Sequence, residues 1–230
     1  MSKKKSLILF PVLILSLFII VSLLPISQHS VVSWSTPNEL INSIRYEFFF
    51  CPLFIFFLGA LFDLRHWVII RRFLNREQII LYKVGIVIGF SLILSFFLGV
   101  ECYISYIIIE KLSAMNITYQ SLLIYLPNKE VDYPPFLFFM TIFFLTTCLI
   151  GTIYVLFTEI FSAQILAAFI VILLVIADRM SICVIPLLFN IGYERLTIQV
   201  ISGLIVIIGL FTSISVWVIK YKDFYGDINS

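Results

Sequence analysis

Long apolar runs, separated by short stretches in which the charges collect, constrain this chain more than any other feature of its sequence. An α-helix needs roughly 20 apolar residues to cross a hydrocarbon core about 30 Å thick. Runs of that order lie at about 7–26, 47–70, 79–100, 136–157 and 200–219, with a shorter one at about 165–177. Of the 230 residues, 62% are hydrophobic and 12% charged, so a soluble domain of this length would lack the polar surface to cover itself. The runs predict an all-α polytopic membrane protein, a single transmembrane domain with about six crossings.

The segments between the runs refine that picture. Lys3, Lys4 and Lys5 precede the first run, which is longer than the apolar part of a signal peptide. No small-x-small cleavage site follows, so a retained first span is expected, and Pro11 is compatible with an in-plane elbow leading into it. The connection 101–134 is long and mostly polar; Ile108, Leu112 and Met115 keep a helical spacing, so part of it reads as an amphipathic helix on the outer membrane surface. Pro134 and Pro135 close it. Asp178-Arg179 then interrupts an apolar stretch, and each charge would cost about 2.5–3.5 kcal/mol at mid-helix. Neighbours on a helix point in different directions, so the two cannot easily pair with each other. Ending the span near Asp178 is cheaper and leaves 180–191, with Pro186 inside it, as a short re-entrant or interfacial segment.

Positive charge near span ends sets orientation. With both termini cytoplasmic, Lys3, Lys4, Lys5, Arg65, Arg71, Arg72, Arg76, Lys83, Lys220 and Lys222 face inward, against Arg45, Lys111, Lys129, Arg179 and Arg195 outside. The inner set is the larger, and an even number of spans agrees with it.

Groups able to do chemistry are sparse. Cys51, Cys102, Cys148 and Cys183 are scattered through apolar runs without CxxC spacing and read as small buried hydrophobes. His29 and His66 are the only histidines and fall on opposite sides of the membrane. HExxH, GxSxG and GxxxxGK[ST] are all missing, so the chain is expected to be no enzyme and to hold neither metal nor cofactor. No nucleic-acid partner is expected. Asp63, Arg65 and His66 read as interfacial residues that snorkel and pair locally, Asp63 and His66 sharing a helix face. Glu47, Glu101 and Glu159 sit at span ends and are expected to be solvated. Gly85 and Gly89 form a GxxxG, which marks a packing face. Asn116-Ile117-Thr118 is formally a glycosylation sequon, without meaning for the bacterial source expected here.

The segment 71–78, "RRFLNREQ", differs in kind. Arg72 and Arg76 stack at i,i+4, and Phe73-Leu74 places two large apolar groups among charges. Two readings stand: a positive-inside loop whose Phe and Leu dip into lipid, or a short amphipathic helix whose apolar knob inserts into a groove on a cytosolic protein.

The layout resembles the permease subunits of ABC-2-type transporters, in particular the small permeases of bacterial peptide-antibiotic export and immunity systems. "RRFLNREQ" falls where that family carries a cytoplasmic coupling helix between spans two and three, and "DRMSICVIPLLFNIGYE" where it carries re-entrant pieces between spans five and six. The long connection 101–134 departs from the short outer turn of the simplest members. The resemblance implies a plasma-membrane permease that moves an amphipathic or hydrophobic substrate, a peptide or lipid-like molecule. A separate cytosolic ATPase would drive it, bound at Arg71, Arg72, Phe73, Leu74, Asn75, Arg76, Glu77 and Gln78. A second permease chain, identical or related, and membrane lipids complete the implied partners. The rival expectation is a stand-alone membrane immunity protein that binds a peptide without ATP. A channel or secondary transporter would need polar groups lining mid-span, which these runs do not offer.

Overall fold

The computed structural model describes residues 46–63, 76–114, 136–161, 163–190 and 197–226. The expected first span at 7–26 and the segment 71–75 lie outside the described residues, as do His29 and His66. Among the described residues there is no strand. A π-turn, Tyr46–Phe50, runs directly into α1, Cys51–Asp63. The others are α2 (Arg76–Ala114), α3 (Phe136–Ile160), α4 (Gln164–Met180), α5 (Val184–Asn190) and α6 (Thr197–Gly226).

Three of these helices contain stretches long and apolar enough to cross a membrane: Glu77–Val100, Phe139–Ile160 and Ile198–Tyr221. The π-turn and α1 together form a shorter apolar helix, Tyr46–Phe62, and α4 has 17 residues, about 25 Å of rise. Pro52 lies just after the π-turn, has no N–H for the carbonyl of Phe48 and crowds it, which is where a helix widens or kinks. Helix α2 runs on through 101–114, a part of the expected outer connection, because that stretch holds neither Gly nor Pro to stop it. Its 39 residues rise about 58 Å, roughly twice a hydrocarbon core.

Helix α3 is the axis of the bundle: 72% of its apolar window is buried, against 28% in α2 and 11% in α6. Its middle, "TTCLIGT", is built of small and hydroxylated residues, which let neighbours approach closely. Gly151 is where this matters, since a Cβ there would fall 2.4 Å from Val87 Cγ1 on α2. Helix α6 lays a single stripe on α3, Leu204, Ser215 and Ile219, and turns Ile205, Val206, Leu210 and Trp217 outward. Helix α4 buries Ala167, Val171 and Val175 at intervals of four and exposes Ile165 and Phe169. So much outward apolar surface suits hydrocarbon and would aggregate in water.

Side-chain contacts fix an up-and-down order. At one end, called the upper end, the π-turn that leads into α1 meets the end of α4 through Glu47 and Arg179. At the lower end Phe62, Lys83 and Glu159 gather, so α1 and α3 finish where α2 begins. Lys220 of α6 reaches Glu77 of α2 at this same end.

Candidate functional site

Of the residues expected to grip a partner, Arg71, Arg72, Phe73, Leu74 and Asn75 lie outside the described residues. Arg76, Glu77 and Gln78 form the first turn of α2, and Glu77 and Gln78 are exposed. With no helix-breaking residue between Arg76 and Ile79, the turn simply continues upward into the apolar part of α2.

Two ion pairs brace this turn. Glu77 accepts from Lys220 at 3.1 Å, in the open, with side chains 48% and 68% exposed. Farther along α2, Lys83 donates to Glu159 near the end of α3, with side chains only 12% and 11% exposed. The Lys83 ammonium also stands 5.6 Å from the centroid of the Phe62 ring, close enough for a cation–π attraction. The two pairs differ in weight. An exposed pair contributes about 0–1 kcal/mol. Removing one partner of a buried pair costs about 3–5 kcal/mol, because the other charge stays buried. Glu159 is therefore not the solvated residue that its place at a span end suggested. The sequence hides this because the two residues are far apart along the chain and meet only once α2 and α3 pack antiparallel.

The upper end holds a second buried charge. Glu47, also expected in solvent, has no exposed surface, and its Oε2 accepts from Arg179 Nη1 at 3.1 Å. Its Oε1 has no hydrogen-bond partner among the described residues. Neighbouring Tyr46 is equally buried; its ring packs against Phe50, Phe143 and Phe189, and its hydroxyl lies 3.2 Å from Thr147 Oγ1. Asp178 and Arg179 thus avoid each other, as expected, and each finds another partner. The Asp178 carboxylate accepts the backbone N–H groups of Val184 at 3.1 Å and Ile185 at 2.8 Å, and its carbonyl accepts from Ser181 and Cys183. A tight turn results, with Cys183 at a positive φ of 58°, and it folds α5 back against α4 and α3. Helix α5 falls inside the segment 180–191 that the sequence marks as short.

Several other expectations change. Gly85 and Gly89 are exposed, and among the described residues a Cβ on either meets nothing within 4 Å, so none of the described helices packs on the GxxxG. The close approaches are made by Gly151, and by Gly59, where a Cβ would lie 2.9 Å from the Tyr154 hydroxyl oxygen. Cys51 and Cys148 are buried and Cys183 is half-buried, all three as free thiols. Among the described residues no group of three or more His, Cys, Asp or Glu could hold a metal ion. Four buried hydroxyls turn back on their own helices: Thr147 donates to Phe143 O, Thr152 to Leu149 O, Ser95 to Ser91 O and Ser215 to Phe211 O. Among the described residues the charges thus gather at the two ends of the bundle rather than converging on a shared point within it.

Comparison of the chain with protein-family models, with curated proteins and with solved structures gives no match. What it does must be read from its own residues.

Proposed function

We propose that this chain is the permease subunit of an ABC transporter, moving an amphipathic or hydrophobic peptide or lipid-like substrate across a bacterial plasma membrane. A separate cytosolic ATPase supplies the energy, and a second permease chain completes the path. One observation supports this reading above the others. The basic stretch around Arg76 leads into a helix end that is tied on two sides, to α6 through Glu77–Lys220 and to α3 through Lys83–Glu159. A loop that merely marked the cytoplasmic side would need its charges but no such bracing. A push on the first turn of α2, by contrast, is useful only if the turn is fixed to the helices that must move. Arg71, Arg72, Phe73 and Leu74 then supply the grip and Glu77 and Gln78 its edge, with this end facing the cytoplasm. No nucleotide or cofactor is held by this chain itself.

Co-expression with a candidate ATPase carrying a GxxxxGK[ST] motif tests the proposal. Arg72→Glu combined with Phe73→Ala should abolish co-purification and the stimulation of ATP hydrolysis. If both survive the double substitution, 71–78 is not the contact. If cells lacking every such ATPase keep the protein's activity, the stand-alone immunity reading replaces this one.

A further inference from the structure

We infer that the Lys83–Glu159 ion pair is the joint that makes the first turns of α2 move together with α3, so that it sets how tightly ATP hydrolysis is coupled to transport. The coupling half of this inference rests on the permease reading above; the mechanical half does not.

Position comes first. Lys83 stands about two turns into α2, whose first turn is Arg76, Glu77 and Gln78, while Glu159 is one residue from the end of α3. Phe62, one residue from the end of α1, lies against the same ammonium. Three helix ends therefore share one cation. Farther up the bundle α2 and α3 touch through apolar contacts such as Val87 against Gly151. Apolar surfaces attract without direction, so such contacts resist parting but not small sliding or rotation. A buried ion pair resists both, because any displacement pulls two poorly hydrated charges apart. Lys83–Glu159 is the pair so placed, being nearly enclosed, whereas Glu77–Lys220 lies in the open and can re-form or hydrate as α2 shifts. Movement of the α2 turn is thereby passed to α3, the most buried helix and the one that α2, α4 and α6 all pack against.

Two measurements test this. Spin labels at Gln78→Cys and Ile160→Cys, both exposed sites, report the distance between the α2 turn and the end of α3 in a background freed of native cysteines. The wild type should give one narrow distance distribution and Lys83→Met a broad one, with no ATPase present. In proteoliposomes with the ATPase, Lys83→Met should keep the partner bound but lower transport per ATP by roughly 5-fold or more. The charge reversal Lys83→Glu with Glu159→Lys should restore both readouts, and Lys220→Ala should change neither. Should the single variant not fold, Lys83→Met with Glu159→Leu keeps the site filled without charge and should still be broad and uncoupled. A narrow distribution in a folded variant lacking the pair overturns the joint. So does wild-type transport per ATP in such a variant, or a folded reversal that stays uncoupled. A wild type that recruits no ATPase overturns the permease reading instead, and the distance distributions then decide the joint alone.

Discussion

Replacing Gly151 by alanine drives a methyl group into Val87. The new Cβ would lie 2.4 Å from Val87 Cγ1, 3.3 Å from Cγ2 and 3.4 Å from Leu58 Cδ1. Carbon atoms pack at about 3.5–4.0 Å, so α2 and α3 must part by roughly 1 Å or Val87 must turn away. Val87 is fully buried, and a β-branched side chain in a helix has one strongly preferred rotamer, so turning is costly. Overpacking of this kind costs about 1–3 kcal/mol. Alanine recovers about 0.8–1.0 kcal/mol over glycine in helix propensity, which leaves a net loss of up to about 2 kcal/mol. For a chain of this length that is a fall in Tm of up to roughly 8 °C, read by thermal unfolding in detergent. Gly85→Ala is the internal control, since its Cβ meets nothing within 4 Å and it should hold or slightly raise the Tm. Val87→Ala in the Gly151→Ala background should relieve the clash, giving a favourable coupling of about 0.5–3 kcal/mol in the double-mutant cycle. Equal melting of the Gly151→Ala and Gly85→Ala proteins would refute the packing of α2 on α3 described above.

At the upper end, Arg179→Met should lower stability by about 3 kcal/mol in the same assay, because Glu47 is left fully buried and unpaired. Adding Glu47→Gln should recover most of that loss. Asp178→Ala removes the acceptor of two backbone N–H groups at the start of α5 and should cost about 1–2 kcal/mol. Faster amide exchange confined to Val184 and Ile185 and their neighbours is the readout, and unchanged exchange there would count against the cap. Single cysteines at Glu77 and Ile182, both exposed and at opposite ends of the bundle, should react with an impermeant maleimide from opposite sides of the membrane, Glu77→Cys from the cytoplasm. Labelling of Glu77→Cys from outside would reverse the orientation.

The sequence by itself determined the class of the protein and much of its segmentation. Apolar run length and charge placement act locally, residue by residue, so an all-helical chain with bilayer-length stretches follows from them, as does the break after Asp178-Arg179. The same local rules mark Arg71–Gln78 as unusual, for its charges and for Phe73 and Leu74 among them. Tertiary structure decided which charges are solvated and which glycines matter. Glu47 and Glu159 stand at span ends, where local rules put them in water; burial comes from Arg179 and Lys83, which approach them only through antiparallel packing of distant helices. A GxxxG at 85–89 carries the usual spacing for close packing, yet among the described residues nothing meets it, while an isolated glycine at 151 receives the neighbouring helix. Spacing along one helix says which residues share a face. Which face meets a neighbour depends on how all the helices rotate to fill space around α3, and that is a property of the whole bundle.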